Sequence, residues 1–150
     1  MDIVHIMELR KPSMAQVIAF PREDRRPTVL VVDDAPAIRG FLCDHLNESG
    51  FQCLAVGSGD EAVDLFEQGA LVDLVFSDVQ LAGSMTGFGL ARWVTENRPA
   101  VPVLLASGDL GKACAQQELW GAEIMPKPYD FDSVVRRIHA AIETRIRRTA

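Results

Sequence analysis

The chain has 150 residues, 48% of them hydrophobic and 24% charged. These are the proportions of one α/β-sized domain, and they leave little room for a second. A core of this size supports itself without disulfides or structural metal. No apolar run approaches the ~18 residues of a membrane span. The N-terminus, with Asp2 and Glu8 among its few apolar residues, lacks the apolar stretch of a signal peptide. A cytoplasmic protein with no membrane partner is expected. Cys43, Cys53 and Cys114 are odd in number and show no CxxC or Cys/His ligand spacing, so reduced thiols are expected. The net charge of −6 is unevenly placed: Met1–Arg26 carries +1, Pro27–Val135 carries −11 and Arg136–Ala150 carries +4. So acidic a body repels phosphate backbones, which argues against a nucleic-acid partner and suits the holding of cations.

In chain order, Met1–Pro27 combines a weak apolar cluster with Pro12, Pro21 and Pro27 and reads as an extension, mostly flexible. From Thr28 short apolar runs alternate with amphipathic stretches. Strands are predicted at Thr28–Val32, Gln52–Val56, Leu74–Phe76, Val101–Ala106 and Ala122–Met125. Helices are predicted at Ala35–Glu48, Asp60–Gln68, about Gly87–Asn97, Gly111–Trp120 and Ser133–Arg147, the last with Asp132 as its N-cap. Gly50, Gly69, Pro99, Gly121 and Pro128 punctuate the boundaries. Several strands are continuous apolar runs, as expected of parallel strands covered by helices on both faces. The fold class is therefore α/β, a doubly wound sheet with five β/α pairs, and the domain spans residues 28–148.

In an open parallel sheet, functional residues gather at the carboxyl ends of the strands. Here those ends carry Asp33-Asp34, Asp78, Ser107 and Lys127-Pro128. Three carboxylates held together raise one another's pKa unless a cation sits among them. All-oxygen ligation with room for water suits Mg²⁺ or Mn²⁺. A carboxylate beside such an ion can attack phosphorus and form an aspartyl phosphate. That transfer needs a partner for each equatorial phosphoryl oxygen, and the metal, the Lys127 ammonium and the Ser107 hydroxyl provide three.

Two other enzyme classes leave partial traces. Gly57-Ser58-Gly59-Asp60-Glu61-Ala62 matches the glycine pattern of a dinucleotide site, but Asp60 and Glu61 would stand where a pyrophosphate must lie. A dehalogenase-like phosphatase needs Asp-x-Asp after the first strand, and Asp33-Asp34-Ala35 does not supply it. His45 and His139 lack metal-ligand partners in the sequence, and Trp93 and Trp120 read as packing residues.

VLVVDD at Val29–Asp34, VFSD at Val75–Asp78, LLAS at Leu104–Ser107 and PKP at Pro126–Pro128 occur in order at compatible spacing. Over about Thr28–Arg148 the chain resembles the receiver domain of two-component response regulators. That resemblance implies a flavodoxin-like strand order 2-1-3-4-5. It implies Asp78 as phosphoacceptor, Asp34 and Asp78 with the Gln80 carbonyl as Mg²⁺ ligands, and Asp33 acting mainly through water. Ser107 matches the switch hydroxyl and Lys127 the phosphate-pairing lysine, with a cis bond before Pro128. The donor implied is a phosphohistidine on a sensor histidine kinase or phosphotransfer protein, with Mg²⁺-dependent self-phosphorylation and self-dephosphorylation and no separate metabolic substrate. Output would go to a downstream protein through the fourth helix, fifth strand and fifth helix, a face that also serves homodimers. Three departures stand out: Ala82 replaces the usual proline, one extra residue precedes Gly87, and Ile124 occupies the place of the usual switch aromatic. The chain ends after its fifth predicted helix, so a stand-alone receiver is expected. The alternative is a phosphorylation-independent interaction module on the same scaffold.

Overall fold

A computed structural model of the chain describes residues 25–111 and 121–149. Strands β1 (Thr28–Val32), β2 (Gln52–Val56), β3 (Leu74–Asp78), β4 (Val103–Ser107) and β5 (Glu123–Pro126) alternate with helices α1 (Pro36–Glu48), α2 (Gly59–Glu67), α3 (Gly87–Asn97) and α4 (Phe131–Thr149). All four strand pairings are parallel, in the order β2-β1-β3-β4-β5. The doubly wound class and the strand order expected from the sequence are those observed. Four helices are described rather than five. Leu110 and Gly111 begin the helix expected at Gly111–Trp120, and its remainder lies outside the described residues.

Strand alternation sends successive side chains to opposite faces. Leu30, Val32, Val75 and Leu105 therefore pack with Ala62, Phe66, Leu90 and Val94 under α2 and α3. Val29, Val31, Leu74, Phe76 and Leu104 pack with Leu42, Leu46, Val134, Ile138 and Ile142 under α1 and α4. β1 and β4 are buried along their whole length, which is why their sequences are unbroken apolar runs. β2 is an edge strand and is partly exposed.

The amino edge of the sheet is tied by a charged cluster at Asp73, a residue only 3% exposed. Its carboxylate accepts from Thr28 N at 2.8 Å and Arg145 Nη2 at 2.9 Å, and its main-chain oxygen accepts from Arg145 Nη1 at 2.8 Å. Arg25 stands 3.7 Å from the same carboxylate. Arg26 donates to the main-chain oxygens of Asn47 and Phe51 at the end of α1, where a cation also complements the helix dipole.

The cap of α4 and the state of two cysteines differ from the sequence reading. Asp132 does not cap α4. Asp130 does, accepting from Ser133 N at 2.8 Å and Ser133 Oγ at 2.9 Å, and these bonds hold its carboxyl below the usual carboxylate range. Asp132 instead lies 3.0 Å from His45 Nε2 across the α1–α4 seam. Cys43 and Cys53 are joined in a disulfide, contrary to the reduced-thiol expectation. The chain reverses between α1 and β2, bringing two cysteines ten residues apart to a Cα separation of 5.4 Å. Spacing along the chain shows no sign of that reversal. No described helix is long and apolar enough to cross a membrane.

Candidate functional site

β1 and β3 are neighbours in the sheet, so the residues that end them meet at its carboxyl edge. Asp33, Asp34 and Asp78 each place a carboxylate oxygen within 4.8 Å of the others. Asp33 is buried, Asp78 intermediate and Asp34 exposed, an arrangement open to solvent on one side. One Asp33 oxygen accepts from Ala35 N at 2.9 Å. Burial, and next among the raising influences the Asp78 charge, hold the Asp33 carboxyl above its ordinary value despite that hydrogen bond.

Asp78 has a partner for each oxygen. Oδ1 accepts from Gln80 N at 3.1 Å and Oδ2 from Lys127 Nζ at 2.6 Å. Lys127 reaches it because β4 and β5 pair in register, Lys127 N continuing that ladder to Ser107 O at 2.9 Å. The Lys127–Pro128 bond is cis, as the resemblance implied. Ser107 is buried at the end of β4. Its hydroxyl accepts from Asp109 N at 3.0 Å and lies 3.2 Å from Asp109 O, so it is held by the loop that follows it. Ile124 is buried in the core cluster on the face of the sheet that carries α2 and α3.

The all-oxygen donor set, with one carboxyl already destabilised in its charged form, fits a hard divalent cation. Every residue singled out from the sequence for this site, Asp33, Asp34, Asp78, Gln80, Ser107 and Lys127, lies at this one edge.

Three neighbours were not singled out as site residues. Arg39, six residues after Asp33 on α1, donates from Nη1 to Asp33 O at 2.7 Å and so fixes the Asp33-Asp34 peptide. Tyr129, two residues beyond Lys127, stands edge-on to Phe76 with ring centroids 5.6 Å apart. Burial, with the Asp33 and Asp78 charges, pushes its phenol up to about 12. Met85, in the loop with the extra residue, seats over Gly59, where a Cβ would meet its sulfur at 2.7 Å. Ser84 in the same loop donates to Asp60 at 3.3 Å. The loop from β3 to α3 is thus anchored on the start of α2. A helical turn of spacing after the aspartate pair was the only signal for Arg39.

The glycine pattern at Gly57–Ala62 is a helix cap. Ser58 Oγ accepts from Glu61 N at 3.2 Å, and Glu61 Oε2 accepts from Gly57 N at 2.7 Å. This reciprocal pair occupies the amides that a pyrophosphate would need. Trp93 packs on Phe66, and the Arg98 guanidinium lies over both rings. Trp120 lies outside the described residues.

Residues 29–139 match the model of the response regulator receiver domain. The chain is 30% identical over 120 residues to the DNA-binding transcriptional regulator NtrC of Klebsiella pneumoniae, covering 79% of this chain and 25% of that protein. It is 35% identical over 89 residues to the autoinducer 1 sensor kinase/phosphatase LuxN of Vibrio harveyi, covering 59% and 10%. The chain thus spans a quarter or less of these relatives. Among solved structures, a signal receiver domain of an HD domain-containing protein from Pseudomonas fluorescens Pf-5 superposes with a TM-score of 0.73 at 26% identity, covering 81% of this chain and 98% of that one. A CheY-like receiver domain protein from Methanospirillum hungatei JF-1 gives 0.76 at 20% identity, covering 83% and 99%, and shares the fold. With its acidic strand ends, its strand order and this match, the chain belongs to the response regulator receiver domain family of two-component systems.

Proposed function

We propose that this domain accepts a phosphoryl group on Asp78 from a phosphohistidine donor and passes the signal on by protein contact. The observation that carries the reading is the Lys127 ammonium 2.6 Å from Asp78 Oδ2, beside two further carboxylates within 4.8 Å. Asp33, Asp34 and Asp78, with the main-chain carbonyl of Gln80, would hold Mg²⁺, or Mn²⁺ in its place, which when bound supplies charge neutralisation for the incoming phosphoryl oxygens. An Asp78 oxygen forms the bond to phosphorus as the bond from phosphorus to the donor imidazole nitrogen breaks, and the imidazole leaves with that electron pair. Lys127 pairs with one equatorial oxygen and the Ser107 hydroxyl donates to another. Water attack on the acyl phosphate then restores the carboxylate. The donor class is a sensor histidine kinase or a histidine phosphotransfer protein, the partners with which receiver domains exchange phosphoryl groups, and the acidic body argues against a nucleic-acid partner for this domain.

The test is incubation with a small phosphodonor, with and without Mg²⁺, followed by intact-protein mass measurement. A phosphoryl mass gain that needs Mg²⁺ and disappears in Asp78→Asn is expected. A gain that persists in that variant would displace the assignment. Absence of any gain, together with absence of Mg²⁺ stabilisation against heat, would favour the phosphorylation-independent interaction module.

A further inference from the structure

The Cys43–Cys53 disulfide takes no part in the acidic site, and the backbone around it is already held without it. Phe51 N donates to Leu46 O at 3.0 Å, Ser49 N reaches His45 O at 3.1 Å, and Cys53 N donates to Asn47 Oδ1 at 3.2 Å. Arg26 closes the carbonyls of Asn47 and Phe51. Leu42, Leu46 and Phe51 are buried beneath these bonds. Cys53 is also in register with Val29 in the parallel ladder. Opening the bond would therefore leave the hydrogen bonds and the core of this corner in place and remove only its covalent link between α1 and β2.

The position of the pair favours chemistry. β2 is the outer strand of the sheet, and both cysteines are half-buried rather than sealed in the core. Neither cysteine is closed off from solvent. A disulfide that is partly open to solvent and not needed to hold its surroundings stands nearer the labile class than the sealed structural bridges that resist reduction. At its other end the helix that carries Cys43 is attached to the acidic site, through Ala35 N to Asp33 and Arg39 to Asp33 O.

We propose that Cys43 and Cys53 form a reversible thiol–disulfide site that exchanges with low-molecular-weight disulfides and sets how readily α1 and β2 separate. In the oxidising direction one cysteine thiolate attacks the reagent RSSR, forming a mixed disulfide and releasing RS⁻. The second thiolate attacks the protein sulfur of that mixed disulfide and releases another RS⁻. The two protons lost by the cysteines end on two RSH, so two protein thiols are oxidised and one RSSR is reduced. The reverse sequence opens the bond. The consequence is local: oxidation cross-links the last turns of α1 to an edge strand, and reduction leaves them joined only by hydrogen bonds and packing.

The experiment equilibrates the full chain, as wild type and as Cys114→Ser, with mixtures of reduced and oxidised glutathione. Thiols are trapped by alkylation and mapped by peptide mass, and amide hydrogen exchange is followed in both states. Expected are a monomeric product two mass units lighter with Cys43 and Cys53 linked, and full return to two alkylatable thiols on reduction. Exchange of amides in residues 42–48 and 52–56 should be at least tenfold faster in the reduced form, with β4 and α3 unchanged. Cys43→Ser and Cys53→Ser should each exchange like the reduced form at every redox ratio. Thiols that stay free, glutathione that stays attached, or dimers in place of the internal bond would overturn the proposal. So would a change in exchange spread evenly over all five strands, because the bond would then be a general stabiliser.

Discussion

Gly87 lies so close beneath the end of β3 that a Cβ there would stand 2.7 Å from Val79 Cα and nearer still to the main-chain oxygen of Asp78. Gly87 N also donates to Val79 O at 2.8 Å, closing the loop that leaves Asp78. The backbone geometry of Asp78 therefore depends on a position nine residues later with no side chain. Gly87→Ala should lower stability by roughly 1–3 kcal/mol, the usual cost of overpacking a closed site, and should reduce Mg²⁺-dependent phosphorylation more than Gly40→Ala, where a Cβ meets nothing within 4 Å. Urea unfolding and the phosphodonor mass measurement check the two parts.

Metal binding should show as heat stabilisation. Mg²⁺ at a hundred times its dissociation constant should add about 2.7 kcal/mol of stability, seen as a rise in thermal midpoint. Asp34→Ala should flatten that dependence. A midpoint that still climbs with Mg²⁺ in the variant would place the ion elsewhere.

Tyr129 is the single tyrosine of the chain, so phenolate absorbance reports it alone. Its pKa of about 12, raised by burial and by the Asp33 and Asp78 charges, means that the folded state holds the phenolic proton more tightly than the unfolded chain does. The stability contribution is complete below pH ~10, the unfolded value, and is lost as pH rises towards about 12. Tyr129→Phe should remove this alkaline loss. Asp78→Asn should bring the phenolate midpoint down, because one of the two repelling charges is gone. A midpoint near 10 in the folded wild type would contradict the burial argument.

Breaking the Asp73–Arg145 pair should be costly, because both side chains are almost fully buried. Arg145→Leu should destabilise by about 3–5 kcal/mol, the range for stranding one member of a buried pair. Denaturant midpoints measure this. Arg92→Ala, which removes an exposed pair on α3, should cost under about 1 kcal/mol.

Movement of the Ser107 hydroxyl towards a phosphoryl group would release Asp109, whose N–H it now accepts. With Ile124 packed in the core and stiff at χ1, the response should be a backbone shift in Gly108–Gly111. NMR shifts on adding a phosphoryl mimic should concentrate there, with the Ile124 rotamer unchanged. A rotamer change with a still loop would reverse the order of events.

The amino-acid sequence by itself determined the α/β class, the succession of strands and helices, and five residues at the carboxyl edge, Asp33, Asp34, Asp78, Ser107 and Lys127, while Gln80 came only through the resemblance. Each of these rests on local information: apolar runs mark buried parallel strands, and a residue just past a strand lies at that strand's end wherever the strand sits. Strand order was legible only through the resemblance, since periodicity says nothing about which strands are neighbours. Tertiary structure alone decided the contacts between elements distant in the chain. Arg145 meets Asp73 across 72 residues because α4 returns along the sheet to its amino edge. Tyr129 acquires its raised pKa from burial and, after that, from the carboxylates at the ends of β1 and β3. Asp130 rather than Asp132 caps α4 because the helix begins at Phe131, two residues before the predicted start at Ser133. Cys43 and Cys53 join because α1 lies back against an edge strand. In each case the deciding quantity is a distance through space, which no spacing along the chain encodes.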